Sequence, residues 1–384
     1  MRKKGIKKIS AAEKAPKPIK FKNLSRRIKR RKAITSSPRQ PVELNLVVAS
    51  AGEVKVRLDA TRLEGQRVVP GGGKAHKVSL SIEGAALGRH AFPPIARVKK
   101  FAATRKLEPA DDKVLAGYLP DHLALRPTPE RLAKELKIPR RIDASRYKLS
   151  KGENQATTIF APDDRYTFSD TSFPWCTAGR VDTANGTGSG VMIGPRHLLT
   201  VSHIIVWNND GTAGWVKFTP SFFDGSAPFG MSWGQWVYFE VKVVGPGVDH
   251  EEGRHDYVVV VLEQPMGNTT GWMGSRTYSN DWDGGTYWSH IGYPADLASA
   301  NRPSFQGSIS LNGSAESDPT EHKNIEHKAD VWPGQSGGPV FGWWDNEPWP
   351  RVVSVQSWQN TGVNGASGGA HLVDLIIRAR NDFP

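Results

Sequence analysis

Residues 333–339 read PGQSGGP, and this short segment is the most informative part of the sequence. A serine that attacks a carbonyl group must project into solvent, and nearby backbone N–H groups must converge on the developing oxyanion. Glycine permits that convergence because it has no Cβ to obstruct an approaching substrate. The segment therefore predicts Ser336 as a nucleophile, with the N–H groups of Gly334 and Ser336 forming an oxyanion hole. The alternative is an ordinary glycine-rich turn.

Two further segments contain the partners that such a serine needs. Residues 198–203 read LLTVSH, an apolar strand that ends in His203, and residues 255–262 read HDYVVVVL, with Asp256 directly before an apolar strand. An imidazole at a strand end can take the serine proton, and a buried carboxylate on its other nitrogen fixes the tautomer. A single histidine or aspartate is more often structural. Together, in the order His, Asp, Ser, they predict a catalytic triad of His203, Asp256 and Ser336.

The three segments resemble the signature blocks of the chymotrypsin-like (trypsin-like) serine proteases, in that family's chain order. They are most similar to the glutamyl-endopeptidase branch, and two other stretches add to the resemblance: IFAPDDRYTFSDT at residues 159–171 and HIGYP at residues 290–294. The resemblance covers about residues 155–384. It implies an all-β fold of two six-stranded antiparallel β-barrels with a C-terminal helix. It also implies a secreted serine endopeptidase, made as a zymogen, that hydrolyses proteins or peptides through an acyl-enzyme on Ser336.

Two positions depart from the family pattern. Trypsin-type enzymes have an aspartate directly before the serine, which pairs with the new N-terminus on activation, and this sequence has Gln335. The glutamyl branch has a histidine on the penultimate strand that recognises the substrate carboxylate, and the matching residue is Gln356. A neutral amide does not replace the charge of either group. We therefore expect no activating ion pair at Gln335 and no strong preference for glutamate.

Further substrate-binding candidates surround the serine. Asp330 precedes Ser336 by six residues, where trypsin-type enzymes have the carboxylate that binds Lys or Arg. Aspartate also occurs near this position in the glutamyl branch without conferring that preference. His371 either substitutes for the missing histidine or is a packed core residue. The expected substrate-binding residues are Asp330, Gln356, Ser357, Trp358 and His371.

The composition beyond residue 155 favours β-structure. Short runs rich in Val, Ile, Phe, Tyr and Trp alternate with clusters of Gly, Asn, Asp and Pro, a pattern typical of a β-sandwich or barrel. Only residues 373–380 have helical spacing. The predicted strands are Gly190–Ile193, Leu198–Val201, Trp236–Val244, Tyr257–Leu262, Tyr287–Ile291, Val352–Trp358 and His371–Ile376.

The net charge of +13 belongs to the first 40 residues, which hold 16 Lys and Arg against one acid and leave the remainder at −2. Such a segment does not bury enough surface to order itself, so a disordered basic leader is predicted over residues 1–40. It would bind polyanions weakly through its charge. Phe21 is its only aromatic residue, so base stacking and specific nucleic-acid binding are not expected.

Residues 41–150 form a mixed section without a chemical motif, which we predict to be a pro-segment or accessory region. Two alternating runs within residues 42–58 predict strands, and Pro129–Leu136 predicts a helix. The composition changes after residue 150, and the dibasic pair Arg140-Arg141 lies near the end of this section. The prediction is that residues 1–150 are removed by cleavage between Arg141 and Ile159.

Several other classes of site have little support in the sequence. Cys176 is the only cysteine, which excludes an intrachain disulfide, and a small buried apolar residue is expected there rather than a nucleophile. The sequence contains no run of 18 apolar residues, so no transmembrane helix is predicted, and the N-terminus lacks the apolar run of a signal peptide. The histidines and acids of residues 250–255 lack H-E-x-x-H spacing, so neither a metal nor a cofactor is expected. A monomer is expected.

Two other functions compete with the protease. GQSGG also fits the G-x-S-x-G turn of α/β-hydrolase esterases, but that fold needs a helix after the serine and then an acid followed by a histidine. Pro339 disfavours the helix, and the one histidine after Ser336, His371, precedes Asp374. The other alternative is a non-catalytic binding protein on a protease-like fold, which the presence of all three triad residues disfavours.

Overall fold

The computed structural model describes residues 15–28, 45–48, 54–57, 93–101, 113–132 and 159–384, except residues 246, 317, 346 and 361. Strands form most of the regular structure, and four short α-helices accompany them. Within these ranges, no helix has both the length and the hydropathy needed to cross a membrane.

The part of the chain before residue 170 contributes one helical turn and five short strands, all within the described ranges. They are α1 (Leu24–Arg27), β1 (Asn45–Val48), β2 (Val54–Arg57), β3 (Ala96–Lys100), β4 (Val114–Leu115) and β5 (Tyr166–Thr167). β1 and β2 pair antiparallel, which confirms the two strands predicted within residues 42–58. Residues 129–132 are not helical, since Arg131 forms a β-bridge with Phe168, and the remainder of the predicted helix lies outside the described residues.

A first antiparallel barrel follows. The strands of this region are β6 (Ala178–Thr183), β7 (Gly186–Met192), β8 (His197–Thr200), β9 (Thr212–Ala213), β10 (Val216–Pro220), β11 (Ser232–Phe239) and β12 (Val258–Leu262). The short strand β9 lies outside the barrel and pairs with β3. Six of them pair in the order β10-β6-β7-β8-β12-β11, and the barrel closes because β11 also pairs with β10. Every residue of β12 is buried, which explains its unbroken run of valines and leucine.

A second antiparallel barrel is built from the rest of the chain. The strands are β13 (Gly274–Arg276), β14 (Thr286–Gly292), β15 (Ser304–Asn312), β16 (Lys323–His327), β17 (Pro339–Gly342), β18 (Arg351–Gln359) and β19 (Asn364–Gly368). The order β17-β14-β15-β16-β19-β18 closes through a β17–β18 pairing. The predicted fold class, two six-stranded barrels with a C-terminal helix, is confirmed.

The remaining helices are α2 (His250–Gly253), α3 (Gly267–Thr270) and α4 (Ala370–Asp382). α4 packs on β8, β11 and β12 of the first barrel through the buried residues Leu372, Leu375, Ile376 and Ala379. Their spacing of three and four residues is helical, so the helix predicted at residues 373–380 is confirmed. The strand predicted at His371–Ile376 was wrong because this apolar run belongs to the buried face of α4.

Segments from the N-terminal third pack on both barrels. β3 pairs parallel with β11, and β4 pairs with β13. Ile19 and Leu24 are buried in an apolar cluster with Leu119 and Leu125, and the Ile19 N–H donates to the carbonyl of Trp343 at 2.7 Å. Residues 15–28, which belong to the predicted basic leader, therefore contact an apolar core, and the division of the chain into leader, pro-segment and protease domain remains a prediction.

The chain after the predicted nucleophile decides between two fold classes. Ser336 is followed within three residues by β17, and both large sheets are built around antiparallel barrels. An α/β-hydrolase needs a helix at this point and a largely parallel sheet. The esterase alternative is therefore wrong. Cys176 is fully buried, as predicted, and its thiol donates to the carbonyl of Thr270.

Candidate active site

His203 and Asp256 meet at the edge of the first barrel. His203 lies in the turn after β8, and Asp256 lies between α2 and β12. The imidazole Nδ1 is 2.6 Å from Asp256 Oδ2, and the backbone N–H of His203 donates to Asp256 Oδ1 at 2.9 Å. A carboxylate only accepts, so Nδ1 carries the proton and the lone pair of Nε2 is left free to take another. The pair has the arrangement of a base and its orienting acid.

Ser357 joins this pair from the second barrel. It lies on β18, and its hydroxyl donates to Asp256 Oδ2 at 2.6 Å. Asp256 is completely buried, so its two oxygens depend on these three donors for the hydrogen bonds that water would otherwise supply. The role predicted for Ser357 in substrate binding remains a prediction, and its hydroxyl is bonded to the acid. This contact ties one barrel to the other at the site.

The turn that contains Ser336 is held on two sides. Gly337 N–H donates to the carbonyl of Gln356 at 2.8 Å, and Gln356 N–H donates to the carbonyl of Gly338 at 2.9 Å. On the other side, the N–H of Ser189 on β7 donates to the Ser336 carbonyl at 2.7 Å. The serine therefore lies between β18, which carries Ser357, and β7 of the first barrel.

Glycine is required in this turn for space as well as for conformation. Gly337 has φ of +82°, and a Cβ there would lie under 3.0 Å from the Ser189 carbonyl and the Thr200 hydroxyl. Gly334 has φ of +101°, and a Cβ there would collide with the carbonyl of Tyr293. Both values lie in the region that side chains with a Cβ rarely adopt.

The predicted oxyanion donors remain available. Among the described residues, neither Gly334 N–H nor Ser336 N–H has a backbone or side-chain acceptor, whereas the N–H groups of Gln335, Gly337 and Gly338 all do. The Gly334 carbonyl is turned the other way and accepts from the Ser189 hydroxyl at 2.7 Å. Ser189 was not predicted from the sequence, because its position in a Gly-rich strand carries no signal of this contact.

Arg165 is a second residue without a predicted role, although it lies within residues 159–171, which resemble the protease family. Its side chain is fully buried and forms ion pairs with Asp163 at 3.0 Å and Asp296 at 2.5 Å. Burial disfavours its charged form, but hydrogen bonds and charges from Asp163 and Asp296 raise the pKa of Arg165 above its ordinary value. The same guanidinium donates to Gln335 Oε1 at 2.7 Å, directly before Ser336.

Asp330 faces the start of the same segment. Its carboxylate accepts from the N–H groups of Phe160 at 2.7 Å and Asp164 at 3.3 Å, and from Gln306 at 3.0 Å. Burial raises the pKa of Asp330 to about 6 despite the backbone donors. The carboxylate predicted to bind substrate is thus engaged by residues 160–164.

The other predicted substrate-binding residues have internal partners as well. Gln356 is buried, and its amide nitrogen donates to the Trp358 carbonyl at 2.8 Å, while the Trp358 indole donates to Asn324 at 2.9 Å. His371, in the first turn of α4, lies 2.8 Å from Glu240. The structure therefore groups Gln356 with the serine turn and places His371 in a different polar cluster.

The sequence is similar to that of a known protease. The chain is 27% identical over 194 residues to glutamyl endopeptidase of Bacillus licheniformis, a match that covers 50% of this chain and 57% of that protein. The predicted resemblance is confirmed: the chain is similar to the chymotrypsin-like serine proteases. The matched region spans little more than half of the Bacillus protein. No protein-family model matches the chain.

Solved structures of two proteases match part of the chain. A Glu endopeptidase structure is 20% identical with a TM-score of 0.47, covering 58% of this chain and 99% of its own. A thermostable serine protease, AL20, from an extremophilic microorganism is 19% identical with a TM-score of 0.43, covering 55% of this chain and 99% of its own.

Proposed function

We propose that the protein is a serine endopeptidase in which Ser336 is the nucleophile, His203 the general base and acid, and Asp256 the residue that orients His203. The observation that carries this proposal is the bonding of Asp256, which accepts from His203 at 2.6 Å and from Ser357 at 2.6 Å while completely buried. A buried carboxylate held in this way stabilises the imidazolium that forms when His203 takes a proton.

The proposed reaction has two steps. The Ser336 hydroxyl transfers its proton to His203 Nε2 as its oxygen attacks the scissile carbonyl, and the N–H groups of Gly334 and Ser336 stabilise the oxyanion. The C–N bond then breaks, and the departing amine takes the proton from His203. Water attacks the resulting ester in the same way, giving one proton to His203 that returns to the Ser336 oxygen as the carboxylic acid leaves.

The proposed substrates are proteins or peptides, and the proposed place of action is outside the cell. Substrate preference rests on fewer observations than the chemistry. Asp330 and Gln356 both lie at the serine turn. The carboxylate oxygens of Asp330 already accept backbone hydrogen bonds, and the amide nitrogen of Gln356 already donates to backbone carbonyls. We therefore propose neither a basic nor a strong glutamate preference.

One experiment separates an endopeptidase from a non-catalytic binding protein. The purified chain is incubated with denatured casein, with and without a serine-reactive fluorophosphonate, beside the Ser336→Ala variant. We expect cleavage by the unmodified protein, its loss after labelling, and a mass increase on the peptide that contains Ser336. Ser336→Ala should remain folded and lose activity by on the order of a million-fold. Activity above about a hundredth of the original in that variant would require another nucleophile.

A further inference from the structure

A second cluster of chemically versatile side chains lies where three elements meet. Glu240 directly follows β11, His322 directly precedes β16, and His371 is in the first turn of α4. Glu240 Oε1 is 2.8 Å from His371 Nδ1 and 3.5 Å from His322 Nε2, and all three ligand atoms lie within 4.8 Å of one another. The two imidazole rings are nearly perpendicular, with centroids 4.3 Å apart.

The separations suit a tetrahedral metal ion. Zinc binds imidazole nitrogen and carboxylate oxygen at about 2.0–2.2 Å, which places neighbouring ligand atoms roughly 3.3 Å apart. The distances from Glu240 to the two histidines, 2.8 and 3.5 Å, lie on either side of that value. Two imidazoles and one carboxylate are also a ligand set that zinc uses in proteins, with water in the fourth position.

Tyr257 orients two of the three groups. Its hydroxyl donates to Glu240 Oε2 at 2.9 Å and lies 3.4 Å from His322 Nδ1. If Nδ1 carries the proton of His322, the hydrogen bond to Tyr257 leaves Nε2 with a free lone pair, and Glu240 keeps Oε1 for the ion. Outer hydrogen bonds of this kind fix the tautomer and direction of metal ligands.

A further imidazole adjoins the three side chains. His255 lines the same cluster, with its ring centroid 4.1 Å from that of His322.

We propose that Glu240, His322 and His371 bind one zinc ion, which joins the end of β11, the start of β16 and the first turn of α4. The ion takes the place of the hydrogen between His371 Nδ1 and Glu240, and a neutral His371 then carries its proton on Nε2. Tyr257, which bonds to Glu240, directly follows Asp256, so the zinc site is connected to the acid of the proposed triad through two adjacent residues. The proposal does not depend on proteolytic activity, since it concerns binding and stability.

The test uses the full chain carrying Ser336→Ala, which prevents self-digestion, after treatment with EDTA and removal of the chelator. Zinc is titrated by equilibrium dialysis with metal analysis, and Co²⁺ is titrated by visible absorption. We expect one zinc per chain with a dissociation constant below about 10 μM, the d–d bands of tetrahedral Co²⁺, and a rise in Tm of roughly 5 °C when zinc is in hundredfold excess over that constant.

Variants locate the ion. His322→Gln and His371→Gln should each weaken zinc binding at least about a hundredfold, and Tyr257→Phe should weaken it about ten- to a hundredfold. The matched control is His250→Gln, a histidine with a side chain 40% exposed, which should bind zinc as the parent does. Failure of the parent to bind zinc would overturn the proposal whether or not the variants fold. Equal binding by the parent and folded His322→Gln would also overturn it.

Discussion

The guanidinium of Arg165 donates to the side-chain oxygen of Gln335 at 2.7 Å, one residue before Ser336. Gln335 also accepts from the N–H of Trp332 at 2.9 Å and is completely buried. The sequence predicted that no ion pair could form at this position, and the structure has a charge-assisted hydrogen bond there instead. The cation comes from within the chain, 170 residues upstream.

Replacement of Gln335 by methionine tests whether this bond positions the serine turn. Methionine has a similar length but accepts no such hydrogen bond, so Arg165 and the Trp332 N–H each lose a partner. We expect kcat to fall about ten- to a hundredfold while KM changes little, because the oxyanion donors adjoin this residue. Gln264→Met, at an exposed position, is the control, and steady-state kinetics on a peptide substrate is the measurement. An unchanged kcat in folded Gln335→Met would contradict this role.

Replacement of Asp256 and replacement of its donor Ser357 should differ greatly in their effect on kcat. Asp256→Asn should lower kcat roughly ten-thousand-fold, because an amide favours the wrong imidazole tautomer. Ser357→Ala removes one of three hydrogen bonds to the acid and should lower kcat only about three- to tenfold. Ser226→Ala, an exposed serine in the first barrel's loops, is the control. Single-turnover kinetics on an activated ester separates the loss in chemistry from any change in binding.

Gln356 should limit cleavage after glutamate. Its amide nitrogen donates to two backbone carbonyls, of Trp358 and Gly365, and a substrate carboxylate needs a donor that is free to bind it. We expect cleavage profiles on a peptide library to show no dominant glutamate. Gln356→His should raise the ratio of glutamate to glutamine cleavage by about tenfold or more, the effect of one hydrogen bond to a charged group. A dominant glutamate preference in the unmodified protein would defeat this prediction.

Buried histidines should make the fold labile to acid. Burial lowers the pKa of His197, which donates to the Ala379 carbonyl of α4, to about 4, whereas an unfolded histidine has a pKa of about 6.5. Between these values the unfolded state binds more protons, so stability falls as pH drops from 6.5 to 4. This group should cost about 3 kcal/mol in all. His290 and His327 act in the same direction, with pKa values lowered to about 3 and about 4 by burial.

Urea unfolding at pH 7, 5 and 4, in the Ser336→Ala background, measures this effect. His197→Gln should be less stable at pH 7 but lose less of its free energy of unfolding between pH 7 and pH 4. The same loss in both proteins would show that His197 does not titrate on unfolding.

Cleavage between Arg141 and Ile159, which remains a prediction, should not release the N-terminal part at once. β3 is hydrogen-bonded to β11, β4 is bonded to β13, and the side chains of Ile19 and Leu24 are buried. We expect the cleaved fragment to co-elute with the barrels on native size exclusion and to separate in denaturant, as followed by intact mass. Elution of fully active barrels without that fragment would show that these contacts are dispensable.

The three proposed catalytic residues could be predicted from sequence because each has a local signature: a strand end before His203, an apolar strand after Asp256 and glycines around Ser336. The β-class was equally visible in the spacing of apolar runs. Arg165 and Glu240 could not be assigned, because their roles depend on partners far away in the chain, among them Asp296 and Gln335 for Arg165 and His322 and His371 for Glu240. The packing of residues 15–28 could not be predicted, because a few apolar side chains within a charged segment give no sign of the core that receives them.

Asp330 and Gln335 both hold residues 160–165 through groups inside the chain, and neither contact uses a terminal amine. A protease whose serine turn depends on a free α-amino group tolerates only one correctly trimmed first residue. In this protein, these bonds place no requirement on which residue precedes Phe160 or on where the chain begins before it. The protein should therefore accept ragged N-termini, imprecise trimming and affinity tags fused ahead of this segment with little change in turnover.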